Sequence, residues 1–339
     1  MTNEPAIYDT LGRALRDLRI SVTDRCNFRC TYCMPKEVFG RDYQFLPQDQ
    51  LLSFEEINRL ARVFASLGTR KLRLTGGEPM MRRDLEGLVA MLAQIEGIDD
   101  IALTTNGSFP LERVQSLKDA GLHRMTVSLD SLDDQTFMAM NDVEFPVQRV
   151  LDWVAEALRV GLAPVKINMV VKRGVNEDSI LPMARYFNHP GTILRFIEFM
   201  DVGHTNGWRL DDVVSAREII QRIHAELPLE SLDANYRGEV ANRWRYKETG
   251  HEIGVIASVT QPFCGDCTRA RLSADGSVYT CLFAIKGTDF KSLLRAGADD
   301  ETLKAAVLGM WGKRADRYSE IRSEATTDLP KVEMSFIGG

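Results

Sequence analysis

From residue 18 to about residue 200, short runs that alternate apolar and polar residues are separated by longer segments in which apolar residues recur at helical spacing. The short runs span residues 18–23, 71–75, 101–105, 125–129, 165–171 and 193–199. Period-two alternation predicts strands with one buried face, and the segments between them, which close at glycines, predict helices. Six such repeats predict a parallel sheet with right-handed crossovers.

The repeat breaks after Met200, at residues 201–203. Beyond this point we expect a helix over residues 216–223, strands over residues 253–259 and 270–272, and a turn at residues 274–276. This mixture does not continue the strand–helix repeat. We therefore divide the chain into a domain of residues 1–203 and a smaller domain of residues 204–339.

The predicted strands carry a polar face beside the apolar one; the first, for example, places Arg19, Ser21 and Thr23 between aliphatic residues. A doubly wound sheet has nearly continuous apolar strands, and a closed eight-stranded barrel fills its interior with branched apolar side chains. We therefore predict an α/β fold, an incomplete (β/α)6 TIM-type barrel with a polar lumen, whose open side is closed by a smaller α+β domain. The alternative is that the polar positions lie at the edges of an open sheet.

Composition narrows the classes of function. With 44% hydrophobic and 27% charged residues in 339, the chain has the composition of a globular protein, which excludes a disordered one. The formal net charge of −6 provides no electrostatic footprint for nucleic acid or an anionic membrane, so any anion site must be built locally. No apolar run approaches the ~20 residues of a membrane span, and the start lacks a leader pattern. We expect a cytoplasmic protein with neither nucleic-acid nor membrane partners.

The six cysteines form two groups of three. Cys26, Cys30 and Cys33 follow the first strand, where barrel proteins place their functional groups. Six cysteines in a cytoplasmic chain are more typical of ligands or catalysts than of disulfides. A four-iron cluster takes one thiolate per iron, so three cysteines would leave one iron open. A zinc site with an unidentified fourth ligand, or simple packing on a helix face, is the alternative.

The second group, Cys264, Cys267 and Cys281, again offers three thiolates. It predicts either a second cluster with one open iron or a zinc site that His251 completes. Both interpretations remain open at the level of spacing.

Two sequence motifs resemble those of a known superfamily. The ten residues from Cys26 read Cys-Asn-Phe-Arg-Cys-Thr-Tyr-Cys-Met-Pro, and residues 75–79 read Thr-Gly-Gly-Glu-Pro. The first resembles the signature of the radical S-adenosylmethionine (SAM) superfamily, and the second resembles its motif for the SAM amino group. The resemblance narrows to the GTP 3′,8-cyclase family of molybdenum cofactor biosynthesis on further features: residues 18–25, the second cysteine group beside Arg269 and Arg271, and the terminal Gly338 and Gly339.

This resemblance implies a radical SAM lyase that converts GTP to (8S)-3′,8-cyclo-7,8-dihydroguanosine 5′-triphosphate, the first step of molybdenum cofactor biosynthesis. It implies SAM and two [4Fe-4S] clusters as cofactors, one cluster on each cysteine group. A radical derived from SAM takes hydrogen from the 3′ carbon of the ribose, and the resulting carbon radical attacks C8 of the guanine. The open iron of the second cluster would anchor the purine.

The same resemblance assigns roles to individual positions. It implies SAM contacts at Tyr32, Gly77, Ser128 and Met200. It implies GTP contacts at Arg19, Arg73, Thr104, Lys166, Arg269, Ala270 and Arg271, and a catalytic role for Arg19, Gly338 and Gly339. Cations on converging polar strand faces can bind the triphosphate, which carries about four negative charges, despite an acidic exterior. A terminal glycine pair by itself predicts a frayed end, whereas the resemblance implies that it reaches into the active site.

The expected partners are GTP, a reduced flavodoxin or ferredoxin that supplies low-potential electrons, and a downstream cyclic pyranopterin monophosphate synthase (MoaC-type). We expect a monomer or a homodimer. Two other functions remain compatible with the residues: a radical SAM maturase that acts on a peptide, and a zinc-stabilised interaction module without turnover.

Overall fold

A computed structural model describes residues 6–322 and 331–338 of the chain. Six parallel strands form the centre of the sheet: β1 Asp17–Ser21, β2 Lys71–Thr75, β3 Asp100–Thr105, β4 Arg124–Ser128, β5 Val165–Val171 and β6 Thr192–Glu198. All six strands predicted from the alternation pattern are confirmed, with small shifts at their ends. The pattern located them well because one face of each strand is buried.

Helices connect these strands and cover their apolar face. They are α1 Phe54–Ser66, α2 Leu85–Leu92, α3 Glu112–Asp119, α4 Asp134–Asn141, α5 Val147–Arg159, α6 Ile180–Tyr186 and α7 Ala216–Glu226. α1 begins with a capping box, in which Ser53 Oγ accepts from the Glu56 N–H at 3.1 Å and the Glu56 carboxylate accepts from the Ser53 N–H at 2.8 Å. None of the helices in the described residues is long and apolar enough to cross a membrane.

The strand order distinguishes a barrel wall from a doubly wound sheet. β1 to β6 are neighbours in the sheet in the same order as in the chain. A doubly wound sheet would reverse direction partway, so the order is that of a barrel wall. The predicted barrel-type α/β class is confirmed. Because β1 to β6 are inner strands of the sheet, the alternative that their polar positions lie at the edges of an open sheet is wrong.

The second part of the chain extends the same sheet at both edges. Its strands are β7 Leu229–Leu232, β8 Asn242–Tyr246, β9 Glu252–Ile256, β10 Arg269–Leu272, β11 Ser277–Tyr279 and β12 Thr288–Asp289. β9 pairs in parallel with β6, and β10 pairs in parallel with β1. Within the described ranges β7 and β12 remain as the two free edges, so strand pairing does not close the wall.

The remaining helices are α8 Lys291–Arg295, α9 Asp300–Gly312, α10 Tyr318–Ile321 and α11 Met334–Ile337.

One predicted strand, over residues 253–259, is shorter than expected and ends at Ile256. The backbone N–H groups of Val259 and Thr260 donate to the buried Glu198 carboxylate at 2.8 and 2.9 Å instead of continuing the ladder.

Candidate active site

The polar inner face of the wall encloses a cavity of about 300 Å³. All six cysteines line this one cavity, three near the carboxyl end of β1 and three near the amino-terminal side of β10 and beyond β11. The two groups are referred to below as the amino-terminal trio (Cys26, Cys30 and Cys33) and the carboxy-terminal trio (Cys264, Cys267 and Cys281). Their convergence in one cavity was not deducible from spacing alone.

The amino-terminal trio lies on a tight loop after β1. The N–H of Cys33 donates to the Cys30 carbonyl at 2.9 Å, and the N–H of Phe28 points to Cys26 Sγ at 3.4 Å. Burial raises the pKa of Cys26 to about 12, and the nearby Glu78 adds to this effect. Buried thiols of this kind become thiolates when strong positive charge, such as the iron of a cluster, is placed beside them.

The double glycine after β2 packs directly on this cysteine loop. A Cβ on Gly77 would lie 2.5 Å from the carbonyl carbon of Arg25 and 2.9 Å from the Cys26 nitrogen, so only glycine fits. The Gly77 N–H donates to the Thr23 carbonyl at 2.9 Å, and the Glu78 N–H donates to the Arg25 carbonyl at 2.8 Å. Contact between two protein loops therefore requires this glycine, while its contact with SAM stays a prediction.

Glu78, which our sequence analysis did not single out, is a buried carboxylate below the double glycine. It accepts from the Asn106 N–H at 2.7 Å, from the Thr105 hydroxyl at 2.8 Å and from the Met80 N–H at 3.0 Å. Burial raises its pKa to about 7 despite these donors. Its place as the glutamate of the Thr-Gly-Gly-Glu-Pro motif was the available signal.

The four predicted SAM residues line the same end of the cavity: Tyr32, Gly77, Ser128 and Met200. The Tyr32 hydroxyl donates to Asp130 Oδ2 at 2.8 Å, and the Val170 N–H donates to Asp130 Oδ1 at 2.9 Å. Burial raises the pKa of Asp130 to about 6. The structure thus brings the predicted residues together and adds an aspartate that fixes the tyrosine.

The carboxy-terminal trio has a different environment, because guanidinium groups face it. Arg269 Nη2 and Arg314 Nη2 each lie 3.2 Å from Cys267 Sγ. Burial acts to raise the pKa of Cys267, but the two arginines outweigh it and lower the pKa to about 6. At Cys281 burial dominates and raises the pKa to about 11. The two arginines therefore favour the thiolate form of Cys267.

His251 does not complete the carboxy-terminal trio, so that interpretation is wrong. Its Nδ1 lies 3.1 Å from Asn188 Oδ1, on the hairpin that joins β8 and β9, whereas the trio lines the cavity. Over residues 6–322 and 331–338, no three cysteine, histidine, aspartate or glutamate side chains lie close enough to share one metal ion. In a four-iron cluster each cysteine binds a different iron, so three partly buried thiols would hold three irons and leave the fourth open. The residues present fit clusters at both trios.

Five predicted cationic residues converge on the cavity: Arg19, Arg73, Lys166, Arg269 and Arg271. Strand register explains this, since Arg19 lies level with Arg73 on one side and with Arg271 on the other. Burial lowers the pKa of Arg19 well below its usual value, and repulsion by the neighbouring arginines adds to the shift. Burial and then Arg195 lower the pKa of Lys166 to about 7. Such mutual repulsion is relieved by a bound anion.

The two remaining predicted GTP residues differ in their placement. Thr104 lines the cavity, where its hydroxyl accepts from Arg73 Nη1 at 3.2 Å. Ala270 is fully buried in the apolar core, because alternation along β10 directs its side chain away from Arg269 and Arg271. The structure does not bring the Ala270 side chain to the cavity.

The sequence analysis missed four further cations in the cavity, Lys71, Arg195, Arg13 and Arg314, of which the first two lie on strands of the wall. Arg195 on β6 lies 3.4 Å from the Thr126 hydroxyl, and burial together with Arg73 lowers its pKa to about 9. Lys71, the first residue of β2, also lines the cavity, and burial lowers its pKa to about 8. Both lie on the polar faces of predicted strands, which was the signal that could have found them.

The carboxyl end of the chain enters this arrangement. Gly338 is buried, and its carbonyl accepts a hydrogen bond from Arg271 Nη1. Its φ of +73° is a left-handed conformation, and a Cβ there would overlap Thr75 Cγ2. Gly339 lies outside the described residues. Gly338 thus lies against the cavity-lining residues Arg271 and Thr75, while the entry of the tail into the active site and its role in turnover stay predictions.

Comparison with known proteins identifies the class and then the family. The family model described as Radical SAM superfamily matches residues 20–187, and the model described as Molybdenum Cofactor Synthesis C matches residues 192–320. In fold, the chain resembles Streptococcus suis SuiB bound to precursor peptide SuiA, with a TM-score of 0.64 and 14% identity over 92% of this chain and 68% of that one. The fold and the cysteine motif thus define a radical SAM protein.

Two curated relatives narrow this class. A GTP 3′,8-cyclase of Acidothermus cellulolyticus is 51% identical to this chain, and one of Staphylococcus carnosus is 50% identical; both alignments cover 98% of this chain and 99% of the relative. Identity at this level over nearly the full length is decisive. The chain belongs to the GTP 3′,8-cyclase family.

Proposed function

We propose that the cavity binds SAM beside the amino-terminal trio and GTP beside the carboxy-terminal trio, and that the protein cyclises GTP to (8S)-3′,8-cyclo-7,8-dihydroguanosine 5′-triphosphate. This is the first step of molybdenum cofactor biosynthesis. The observation that carries the proposal is one cavity lined by both trios and by the cations on the polar strand faces. The full-length similarity to GTP 3′,8-cyclases supports the choice of substrate.

The cofactors of this chemistry are SAM and two [4Fe-4S] clusters. Three thiolates of each trio would hold one cluster and leave one iron open. When bound, the amino-terminal cluster supplies the electron that cleaves SAM and starts the radical reaction. Tyr32, Gly77, Ser128 and Met200 would contact SAM at that end, and Asp130 and Glu78 keep Tyr32 and the glycine loop in position.

The cations of the wall would bind the triphosphate. A triphosphate carries about four negative charges, and guanidinium forks bind its oxygens in pairs. Arg19, Arg73, Lys166, Arg269 and Arg271 form the predicted set, and Arg195 and Lys71 extend it along β6 and β2. Thr104 would contact GTP from β3. Because these cations repel one another in the empty cavity, GTP binding removes an unfavourable interaction.

The tail would exclude water from the reacting ribose. The Gly338 carbonyl accepts from Arg271 and Gly338 packs against Thr75, so Gly338 lies between the cation set and the end of β2. A radical on a ribose carbon needs such protection, because a closed site prevents side reactions of a reactive intermediate. Arg19, Gly338 and Gly339 are the residues we propose for turnover itself.

The proposed division of the chain into two domains is consistent with this shared cavity. We propose residues 1–203 as the partial barrel and residues 204–339 as the domain that extends it, which is supported by the parallel pairing of β9 and β10 to the two edge strands of the first part. We also propose partners and a location for the protein. A reduced flavodoxin or ferredoxin is the proposed electron donor, and a cyclic pyranopterin monophosphate synthase is the proposed next enzyme.

The proposed location is the cytoplasm.

The test is anaerobic incubation of the reconstituted protein with SAM, GTP and a reductant, followed by mass analysis. We expect 5′-deoxyadenosine and, in equal amount, a product that separates from GTP by chromatography but has the same mass. ATP in place of GTP is the control and should give no cyclised product. If 5′-deoxyadenosine forms without a GTP isomer, while a peptide substrate is modified, the proposed substrate is wrong.

A further inference from the structure

Three charged side chains are buried beside the carboxy-terminal trio, Asp9, Arg13 and Arg314, and the two arginines line the same cavity as the trio. Arg13 Nε lies 2.5 Å from Asp9 Oδ2, and Arg314 Nη1 lies 3.4 Å from the same oxygen. The side chains of Asp9 and Arg13 are completely inaccessible, and that of Arg314 is 2% accessible. We call these three residues the arginine support.

The arginine support holds both ends of the turn that carries Cys264 and Cys267. Arg13 Nη1 donates to the Cys264 carbonyl at 2.8 Å and to the Asp316 carbonyl at 2.7 Å. Arg314 Nη1 donates to the Cys267 carbonyl at 2.7 Å, and its Nη2 lies 3.2 Å from the Cys267 sulfur. The support therefore contacts both the backbone of the turn and one of its thiolates.

The support joins distant parts of the chain. Asp9 and Arg13 precede β1, while Arg314 follows α9 and stacks over the Trp311 ring at 4.5 Å. The buried Trp311 indole in turn donates to the Arg13 carbonyl at 3.0 Å. Two distant segments thus meet at one turn, which restricts how that turn can move.

Each nitrogen of the Arg314 guanidinium group has an acceptor, which argues against a role in packing alone. Its Nε lies 3.2 Å from Asp316 Oδ2, so all three of its nitrogens have acceptors. Burying a charged group costs several kcal/mol, and apolar residues of similar size would pack a turn at less expense. Lysine has no planar fork and cannot reach three acceptors in this geometry at once.

We propose that the arginine support is a positioning device for the carboxy-terminal trio, and that Arg314 raises the reduction potential of the cluster held there. A cationic hydrogen-bond donor at a ligand sulfur stabilises the reduced cluster, which carries one more negative charge. The inference rests on the proposed function, specifically on a cluster at this trio. It gives Arg314 a role that differs from the role of the substrate-facing arginines.

The test uses the full chain, reconstituted anaerobically, with Arg314→Gln, Arg314→Lys and Asp9→Asn variants. Arg295→Gln is the matched control, because Arg295 also pairs with a carboxylate, that of Glu56, and with two backbone carbonyls, but lies at α8 away from the cysteines. Iron content is measured together with an EPR-monitored redox titration. The signal that GTP perturbs marks the second cluster, and the signal that SAM perturbs marks the first.

For Arg314→Gln we expect the GTP-sensitive signal to shift to a more negative midpoint, while the SAM-sensitive signal keeps its midpoint. Arg314→Lys should give a smaller shift in the same direction, and Arg295→Gln none. Asp9→Asn should lower the iron content from about eight towards about four per chain, because the turn loses its support. SAM-dependent signals that persist in each variant show that the barrel is folded.

Unchanged midpoints and iron content in Arg314→Gln and Asp9→Asn would overturn the inference while leaving the proposed function intact. If Arg314→Gln does not fold, the Arg314→Lys midpoint decides, and a value equal to that of the wild type overturns the inference. About four iron atoms and no GTP-sensitive signal in the wild type would instead overturn the proposed function.

Discussion

The two cysteine trios offer the same donor set to one cavity but have opposite electrostatic surroundings. Around the amino-terminal trio, burial raises the pKa of Cys30, and its neighbours Cys26 and Asp130 add to that shift. Around the carboxy-terminal trio, Arg269 and Arg314 outweigh burial at Cys267 and lower its pKa. Identical ligands are therefore placed in an acidic setting at one end and in a cationic setting at the other.

This difference matches the charges of the two proposed ligands. SAM carries a sulfonium and an ammonium against one carboxylate, so it is a net cation and suits the end with Glu78 and Asp130. GTP is a polyanion and suits the end with the arginines. In the proposed arrangement, a chain with a formal charge of −6 would bind two ligands of opposite charge at two ends of one cavity.

The largest effect should come from removing one trio at a time. We expect Cys281→Ala to abolish cyclisation because the second cluster is lost, while SAM cleavage persists at the amino-terminal trio. Cys26→Ala should abolish both reactions. Product and 5′-deoxyadenosine are quantified by mass analysis, with iron and sulfide content as the control. Equal loss of SAM cleavage in the two variants would contradict the division of roles.

The second largest effect on cyclisation should come from altering the terminal glycines. Appending one alanine after Gly339, or replacing Gly338 by alanine, should suppress cyclisation and leave iron content and SAM binding unchanged. A Cβ at residue 338 overlaps Thr75 Cγ2, so Gly338→Ala combined with Thr75→Ser should recover part of the rate. Backbone strain would remain in the double variant, because the φ of +73° at residue 338 favours glycine. An undiminished rate with the appended alanine would show that the tail is not needed.

We expect a smaller effect from substituting Arg195. This substitution should weaken the binding of GTP but not the binding of SAM. Removing a buried cation from a charge pair costs about 2 kcal/mol or more, so Arg195→Ala should weaken GTP binding about 30-fold. The dissociation constant for SAM should not change, and Arg195→Lys should retain most of the affinity. Isothermal titration calorimetry measures both ligands. Weakened SAM binding with unaltered GTP binding would place Arg195 at the wrong end of the cavity.

The smallest effect is a pH dependence of GTP binding. Burial lowers the pKa of Lys166 to about 7, so above this pH the empty cavity increasingly holds a neutral amine. A bound triphosphate restores the ammonium, so binding takes up a proton, and affinity falls by up to about tenfold per pH unit above pH 7. Calorimetry at about pH 8 in buffers of different ionisation enthalpy measures the uptake. Lys166→Met is the control and should reduce it; equal uptake in both proteins would exclude this lysine.

The strands, their polar faces and the convergence of the cations could be predicted because each depends on local alternation. Arg19 and Arg73 meet because adjacent parallel strands place equivalent residues at the same level. The open edges at β7 and β12 could not be predicted, since the pairing of β9 and β10 joins distant segments.

The site showed the same limit. The cysteine spacing identified both trios, but it could not identify the charged residues that contact each trio. Asp9 and Arg314 are far apart in the chain and were not singled out from the sequence, because only the folded chain brings them together beside Cys267. Likewise, Ala270 adjoins two cavity arginines in sequence, yet alternation directs its side chain to the opposite face.

The most direct test of the division between the trios is EPR and Mössbauer spectroscopy of the reconstituted protein with each ligand alone and with both. We predict two [4Fe-4S] clusters, with SAM changing the spectrum of one and GTP changing that of the other. In Cys281→Ala the GTP response should disappear and the SAM response should remain. A single cluster with zinc at the carboxy-terminal trio, or one cluster that responds to both ligands, would contradict the account.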